Sequence, residues 1–405
     1  MAAAGSRGGR LLFAPVGATG LNPCGAVTFI LTLKRLHPIL PLLNNKSQTY
    51  TMKILIIRLS AIGDVVHTLP AVQLLKKHLP GCRITWVVEE AAADLIAGYE
   101  GIDAVIVSKR ATWLRAFRAG SAAAACKEAA AFVRGLRRED YDLVLDFQGL
   151  FKSGLLAGLA RGKRTIGFAH AREAATLFYT EKAPAPDFND HAITRHMGLL
   201  RYLGINDDAA AFSQFWGQRE EENVQRLLGG HEAESKGPLV IVHPCAAWPT
   251  KCWDAGRVAA LCDSLRKIYD ARIVFAGSAA EQLPVSGIIA RMAEPAISLA
   301  GCTTLRELAC LLARSSLMVA MDSGPLHLAC AVGAPAVALF GPTAPWRTGP
   351  FGSRHRVVRK ELACSPCYKK KACPLGHHRC MADITVEEVL QVCSNYLMEQ
   401  SDARE

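Results

Sequence analysis

The chain has 405 residues, half of them hydrophobic, with 33 glycines and 20 prolines scattered rather than clustered. That length carries two domains with proper cores and excludes a disordered or low-complexity protein. A net charge of +11 points to an anionic partner: nucleic acid, anionic lipid, or a phosphorylated or carboxylated substrate. The 14 cysteines are spread along the chain, and those in apolar runs, such as Cys262, Cys310 and Cys330, read as buried reduced thiols of a cytoplasmic protein. No run of about 18 uncharged apolar residues exists, so no membrane-spanning helix is expected.

Residues 1–51 read as an unstructured leader or a mis-called start. Lys34, Arg35 and several prolines spoil a signal-peptide pattern, and Met52 stands directly before a well-formed strand. Lys53–Leu59 is that strand, apolar on both faces. Ser60–Asp64 turns at its end, and a helical pattern runs from Val65 to about His78, with Pro70 either kinking it or near its start. Strands follow at Arg83–Glu89 and Ala104–Val107, then a basic helix or loop, Lys109–Arg118. Leu143–Phe147 and Ile166–Phe168 read as strands, with a helix from Lys152 between them; His191–Leu203 is an amphipathic helix.

The polar stretch 206–236 reads as a linker with a bridging helix, separating a first domain at 52–205 from a second at 237–405. Pro238–His243 restarts the strand pattern. A helix at Asp254–Lys267, a strand at Arg272–Phe275 and a helix at Thr304–Ala313 follow. Leu317–Met321 then runs into Asp322, with Ser323 as N-cap, Gly324 and Pro325 in the first helical turn, Gly333 closing the helix, and a strand at Ala336–Phe340. Strands alternate with helices throughout, so both halves are expected to be doubly wound parallel sheets. Neither half carries G-x-G-x-x-G after its first strand, and Gly158–Thr165 lacks the hydroxyl residue and glycine spacing of a P-loop.

Ligands of such sheets sit beyond the carboxyl ends of the strands. Asp64 lies there in the first half, either as a carboxylate facing the cleft or as a helix N-terminal acid. In the second half, Asp322, Ser323, Gly324 and His327 surround a helix start suited to phosphate, or form an ordinary capped turn. Lys251 is a phosphate counter-ion or a surface lysine. Gly277 and Glu281 end another strand, where a carboxylate accepts hydrogen bonds from ribose hydroxyls. Lys109, Arg110, Arg115 and Arg118, interleaved with Trp113, are an anion-binding or a solvated basic face. Cys364, Cys367, Cys373 and Cys380, with His377 and His378 between the last two, have spacing that suits a tetrahedral structural zinc; a disulfide or reduced thiols are the alternatives.

The segments Met52–Pro70, Leu145–Leu155, Ala171–Tyr179 and 321–352 resemble the lipopolysaccharide heptosyltransferases, family 9 glycosyltransferases of the GT-B fold. The run A-R-E-x-x-x-L-F-Y is most similar to heptosyltransferase I. The resemblance covers Met52 to the C-terminus and implies an α/β protein of two Rossmann-like domains facing across a cleft. It implies transfer of L-glycero-D-manno-heptose from ADP-heptose to Kdo of Kdo-lipid A, with inversion, no catalytic metal and no cofactor. It gives Asp64 the role of general base, Lys251, Asp322, Ser323, Gly324 and His327 that of the donor-phosphate site, and Glu281 with Gly277 that of the ribose site. Lys109, Arg110, Arg115 and Arg118 would then hold acceptor carboxylates and phosphates, with the enzyme cytoplasmic and peripheral at the inner membrane. The chain departs from the pattern at Cys245–Ala247 and Lys251-Cys252-Trp253, where no hydroxyl is available to phosphate. Cys-rich tails are commoner in relatives resembling heptosyltransferase II, so transfer to heptose, or of another sugar, is the alternative. A basic, zinc-bearing nucleic-acid-binding protein is a remote one, since no aromatic-basic RNA module is visible. The oligomeric state is left open.

Overall fold

The computed structural model describes residues 51–229 and 237–402. The expected leader (1–51) lies almost wholly outside them, as does the end of the expected linker. In chain order the elements are β1 Lys53–Ile57, α1 Ile62–His78, β2 Arg83–Glu89, α2 Glu90–Ile96, β3 Ala104–Ser108, α3 Arg110–Arg118, α4 Ala122–Leu136, β4 Leu143–Asp146, α5 Phe151–Leu159, β5 Arg164–Phe168, β6 Glu181–Ala183 and α6 Ala192–Tyr202. Helix α7, Gln218–Gly229, falls in the expected linker region. Then come β7 Leu239–His243, α8 Ala255–Tyr269, β8 Arg272–Phe275, α9 Gln282–Ile289, β9 Ile297–Ser298, α10 Leu305–Ala313, β10 Leu317–Met321, α11 Gly324–Ala331, β11 Ala336–Phe340, α12 Pro345–Thr348, β12 His355–Arg359, α13 Arg379–Ala382 and α14 Val386–Asp402.

The strands form two six-stranded sheets, ordered β3-β2-β1-β4-β5-β6 and β12-β11-β10-β7-β8-β9. All pairings are parallel, and counted from each sheet's own first strand the two orders are the same. Strand order reverses between β1 and β4 and between β7 and β10, so each half opens a crevice beyond those strand ends. Parallel strands covered by helices on both faces must be apolar throughout, which is why KILII and LMVAM bury completely or nearly so. The second core also takes in Val389, Cys393 and Leu397 of the C-terminal helix.

Several boundaries differ from the sequence reading. Helix α1 starts three residues early, which puts Asp64 in its first turn, and Pro70 sits in its interior. Ser323 occupies the N-cap position of α11, but its hydroxyl does not cap the helix. Helix α4 has no counterpart in the reading, although Ala125, Phe132, Val133 and Leu136 do recur at helical spacing. Helix α7 packs on the second half: Asn223 donates to Glu307 at 2.7 Å, and Glu220 pairs with Arg306 at 3.3 Å.

The halves meet where two helix starts approach each other. A Cβ on Gly63 would lie 2.3 Å from Cδ2 of His327, and one on Gly324 would lie 3.0 Å from Cβ of Ile62. Arg306 adds a contact from α10 to the end of α2, bonding the Ala97 carbonyl. Gly63→Ala forces the buried His327 ring to move and is expected to cost about 1–3 kcal/mol by overpacking. Its thermal midpoint is expected to fall by several degrees. Gly135→Ala, where a Cβ meets nothing within 4 Å, is the control, with an unchanged or raised midpoint.

Candidate active site

In the first crevice, β1 delivers Arg58 and the turn to Asp64. Arg58 is 7% exposed. One of its nitrogens lies 2.8 Å from Asp64 Oδ2, and another donates to the Phe147 carbonyl at 2.6 Å. The Ala61 N–H also donates to Asp64 Oδ2 at 3.3 Å. Burial works against the carboxylate's charge, but Arg58, nearby histidines and the Ala61 N–H outweigh it and hold the pKa below the usual aspartate range. Asp64 is therefore an oriented carboxylate at neutral pH. The turn itself is fixed from β4: Asp146 accepts from the N–H groups of Gln148 and Gly149, and the Gln148 side chain accepts from Leu59 N–H and Ser60 N–H at 2.8 and 3.2 Å.

In the second crevice, Asp322 is 5% exposed and lies 2.7 Å from Lys251 Nζ. Thr343 donates to the same Asp322 oxygen at 2.7 Å, and His327 Nε2 stands 3.8 Å from the other. Asp322 thus orients cations and donors rather than meeting an anion itself. Lys251 also stands over the Trp248 ring at 4.3 Å, so its ammonium is fixed on two sides and keeps N–H capacity for a ligand. The Ser323 hydroxyl turns to His243, 3.1 Å from Nδ1, and His243 Nε2 lies 3.7 Å from Glu281. Glu281 also accepts from Ser278 N–H and hydroxyl at 2.7 and 2.9 Å. Hydrogen bonding to His243, then to Ser278, lowers its pKa to about 2 against the effect of burial. Lys251, Asp322, Ser323, Gly324 and His327 therefore gather in one crevice, with Glu281 joined to them through His243.

Four histidines line the seam between the halves. The His67 and His327 rings are 4.3 Å apart, and His67 and His191 5.2 Å. His196 Nδ1 lies 3.1 Å from the His67 carbonyl and 3.3 Å from the Thr68 hydroxyl. His191 Nε2 lies 3.0 Å from the Gly349 carbonyl. Both His67 ring nitrogens are buried without a partner. Sequence reading missed His67, Arg58, His243 and Thr343, since a single residue in or beside an apolar run carries no signal of what it faces.

Lys109, Arg110, Arg115 and Arg118 lie at the far edge of the first sheet, where residues 109–138 hold eight basic residues and one acidic residue. Of these four, Arg110 reaches toward the crevice: it pairs with Glu89 at 3.2 Å. Glu89 in turn holds Lys152 at 3.0 Å, and Lys152 donates to the Ser60 hydroxyl at 3.3 Å. Lys152 was not anticipated. Trp113 does not interleave with these cations toward a ligand; its N–H donates to Glu128 at 2.9 Å and its ring packs on Phe132.

Cys364, Cys367, Cys373 and Cys380, the set whose spacing suits zinc, lie near enough for the first three to raise the Cys380 pKa after burial does. All four are free thiols, and among the described residues no three His, Cys, Asp or Glu side chains group so as to hold a metal ion. The Cys380 sulfur sits inward, where a Cβ on Gly341 would meet it at 3.2 Å. The tail instead braces the Lys251 loop. Thr250 donates to the Lys369 carbonyl at 2.6 Å, His378 Nε2 lies 2.7 Å from the Thr250 carbonyl, and Trp253 donates to the Ile384 carbonyl at 3.1 Å.

Two doubly wound sheets facing across a cleft, with an anion-ready crevice in the second, form the GT-B fold of glycosyltransferases. Residues 129–378 match the model of glycosyltransferase family 9 (heptosyltransferase). The chain is 30% identical to lipopolysaccharide heptosyltransferase 1 of Pseudomonas aeruginosa over 353 residues, 84% of this chain and 93% of that one. It superposes on the Escherichia coli heptosyltransferase WaaC bound to ADP-2-deoxy-2-fluoro heptose with a TM-score of 0.64 and 27% identity, covering 85% of this chain and 99% of that one. For E. coli ADP-heptose lps heptosyltransferase II the TM-score is 0.69 and the identity 22%, covering 86% and 100%. The chain belongs to glycosyltransferase family 9.

The seam makes stability depend on pH. Burial lowers the pKa of His327 to about 4 and shifts His67, His191 and His196 the same way. Unfolded histidines titrate near 6.5, so as pH falls the unfolded chain takes protons first. The melting temperature is expected to be flat from pH 8 to 7 and to fall from about 6.5 down to about 4. His67→Leu, which removes one such group, is expected to make that fall shallower in calorimetric scans across the window.

Proposed function

We propose that this heptosyltransferase of lipopolysaccharide core synthesis moves L-glycero-D-manno-heptose from ADP-heptose to a Kdo hydroxyl of Kdo-lipid A, without a catalytic metal and with inversion at the anomeric carbon. The observation that carries the reading is the pairing of crevices. Asp64, held anionic by Arg58, opens one helix at the seam, and the Lys251–Asp322–Ser323 cluster opens the helix it meets. The 30% identity to a heptosyltransferase 1 over most of both chains supports Kdo as acceptor. We place the boundary between an acceptor-binding domain and a donor-binding domain within 206–236.

In this reading Glu281, with the Gly277 turn, accepts hydrogen bonds from the ribose hydroxyls of ADP, and His243 holds it in place. The diphosphate lies against Lys251 and the N–H groups at the start of α11, with neutral His327 available as a donor. Asp64 takes the proton from the acceptor hydroxyl as its oxygen attacks the anomeric carbon on the face opposite ADP. The bond from that carbon to the diphosphate oxygen breaks, and Lys251 with the helix start takes the charge that develops on the leaving group. A carboxylate with a low pKa is a weak ground-state base. It serves here because the hydroxyl becomes acidic only once the anomeric carbon has become positive. Lys152 and Arg110, at the rim, carry acceptor anions, and Lys109, Arg115 and Arg118 extend the basic face toward anionic lipid. Among the described residues no helix is long and apolar enough to cross a membrane. In this reading the acceptor's lipid and the basic face set the place of action, at the inner membrane from the cytoplasmic side.

Transfer from ADP-heptose to Kdo2–lipid A is the test, wild type beside Asp64→Asn. Wild type is expected to form product, and Asp64→Asn to bind ADP normally but turn over at least about a hundredfold more slowly. Transfer only to heptosyl-Kdo2–lipid A would assign the acceptor to the heptose type, and no binding of an ADP-sugar would overturn the donor site. Arg58→Gln, which removes the main charge holding Asp64 ionised, is expected to move the acidic limb of the kcat/KM profile to higher pH. Arg58→Lys is expected to move it less; a uniform drop at all pH values would mean that Arg58 acts on structure alone.

A further inference from the structure

One cationic pair is not used by the reading above. Arg347, in α12 of the second half, lies on the ring of Phe188 with Cζ 3.4 Å from the centroid. Arg195, in the first turns of α6 in the first half, approaches the same ring at 5.7 Å. The ring is 57% exposed. Neither arginine has a salt-bridge partner among the described residues, and the Nε of each is buried without a hydrogen bond. The Tyr368 ring, 5.1 Å from Arg347, is the other group against it. The segments that carry the two arginines are joined across the seam, where the His191 side chain at the start of α6 meets the Gly349 carbonyl.

Two partly buried guanidiniums facing one ring without a carboxylate are unfavourable until an anion arrives between them. Burial, and then the charge of Arg347, push the Arg195 pKa down, while Asp64 and Asp190 push it up and Arg58 adds to the repulsion. Helix α6, which carries Arg195, packs through His191 and His196 on His67 of α1, the helix that Asp64 opens, so an anion held there lies on the base's side of the seam. The donor diphosphate has its own cation in Lys251, already oriented by Asp322 and Trp248. A planar carboxylate fits two guanidinium forks, and the exposed part of Phe188 offers apolar contact to the sugar that bears it.

We propose that Arg195 and Arg347 form a two-sided clamp over Phe188 for the carboxylate of a sugar-acid acceptor, set so that an acceptor hydroxyl meets Asp64. The proposal rests on the transfer reading above. Because each half supplies one arginine, the clamp is complete only with the halves together, so a bound acid ties them.

The test titrates free Kdo and its methyl ester, in the presence of ADP, into wild type, Arg347→Gln, Arg347→Lys and Phe188→Leu, with ADP affinity measured alongside as the check on folding. Wild type is expected to prefer the acid. Arg347→Gln is expected to weaken acid binding about ten- to hundredfold, as loss of a charge-assisted hydrogen bond does, and to leave the ester and ADP unchanged. Arg347→Lys is expected to recover part of the loss, and Phe188→Leu to weaken acid and ester alike. Equal losses for acid and ester in Arg347→Gln, weakened ADP binding, or no preference for the acid in wild type would overturn the clamp. If the acid shows the expected signature but no heptose reaches Kdo2–lipid A, the clamp stands and the acceptor assignment falls. If heptose is transferred and Arg347→Gln transfers as fast as wild type, at acceptor concentrations below KM, the clamp falls and the transfer reading stands.

Discussion

The close approach of α1 and α11 is the constraint on which the rest of the molecule depends. Two helices from different sheets meet start to start, and glycine at 63 and 324 eases it, since a Cβ would meet the other half at 2.3 Å from the first position and 3.0 Å from the second. Both helix starts carry partial positive charge, so their juxtaposition needs compensating acids close by. Asp64 and Asp322 are those acids. A side chain at Gly63 displaces the His327 ring beside Asp322, and one at Gly324 presses on Ile62, two residues before the base.

A common rule governs the charges at the seam. Each group placed for chemistry is held by a partner of opposite character: Asp64 by Arg58, Lys251 by Asp322, Glu281 by His243. Holding a charge in this way lowers its reactivity in the ground state but fixes its position, and position is what a displacement between two bound substrates requires. The histidines between the halves supply bulk and hydrogen bonds without charge at neutral pH, because burial keeps them neutral. A Lys or Arg at those sites would repel Arg58 and Arg195 across the same space.

How much was legible from sequence follows from how local each feature is. The strands, the doubly wound order and the loops at Asp64 and Asp322 follow from runs of apolar residues and the turn residues that end them. Helix α4 carries an apolar face at Ala125, Phe132, Val133 and Leu136, but its alanines blur the contrast with the opposite face. The Ser323 hydroxyl was read as a cap, but a buried histidine 80 positions away competes for it and wins. Arg58 sits within an apolar stretch, where a cation usually marks a strand end, and only β4 beside it shows that its guanidinium turns inward to Phe147 and Asp64. Arg195 and Arg347 lie 152 positions apart in the numbering and share a ring that is unremarkable in sequence.

The cysteine-rich tail marks the limit of reading by motif. Its spacing suits a metal, yet what the fold uses is its backbone. Ser365 donates to the Gly341 carbonyl at 2.6 Å, and the Tyr368 N–H donates to Pro342 at 2.8 Å, next to the Thr343 that holds Asp322. A few residues on, the Lys369 carbonyl and His378 grip Thr250, next to Lys251. One short segment thus braces both members of the Lys251–Asp322 pair from outside the crevice. A lysine on a free loop would lose much of its value to conformational entropy on binding a phosphate. With Trp248 beneath it and the tail behind it, Lys251 is ordered before a ligand arrives, so the electrostatic contribution of its charge is available at the moment the leaving group departs.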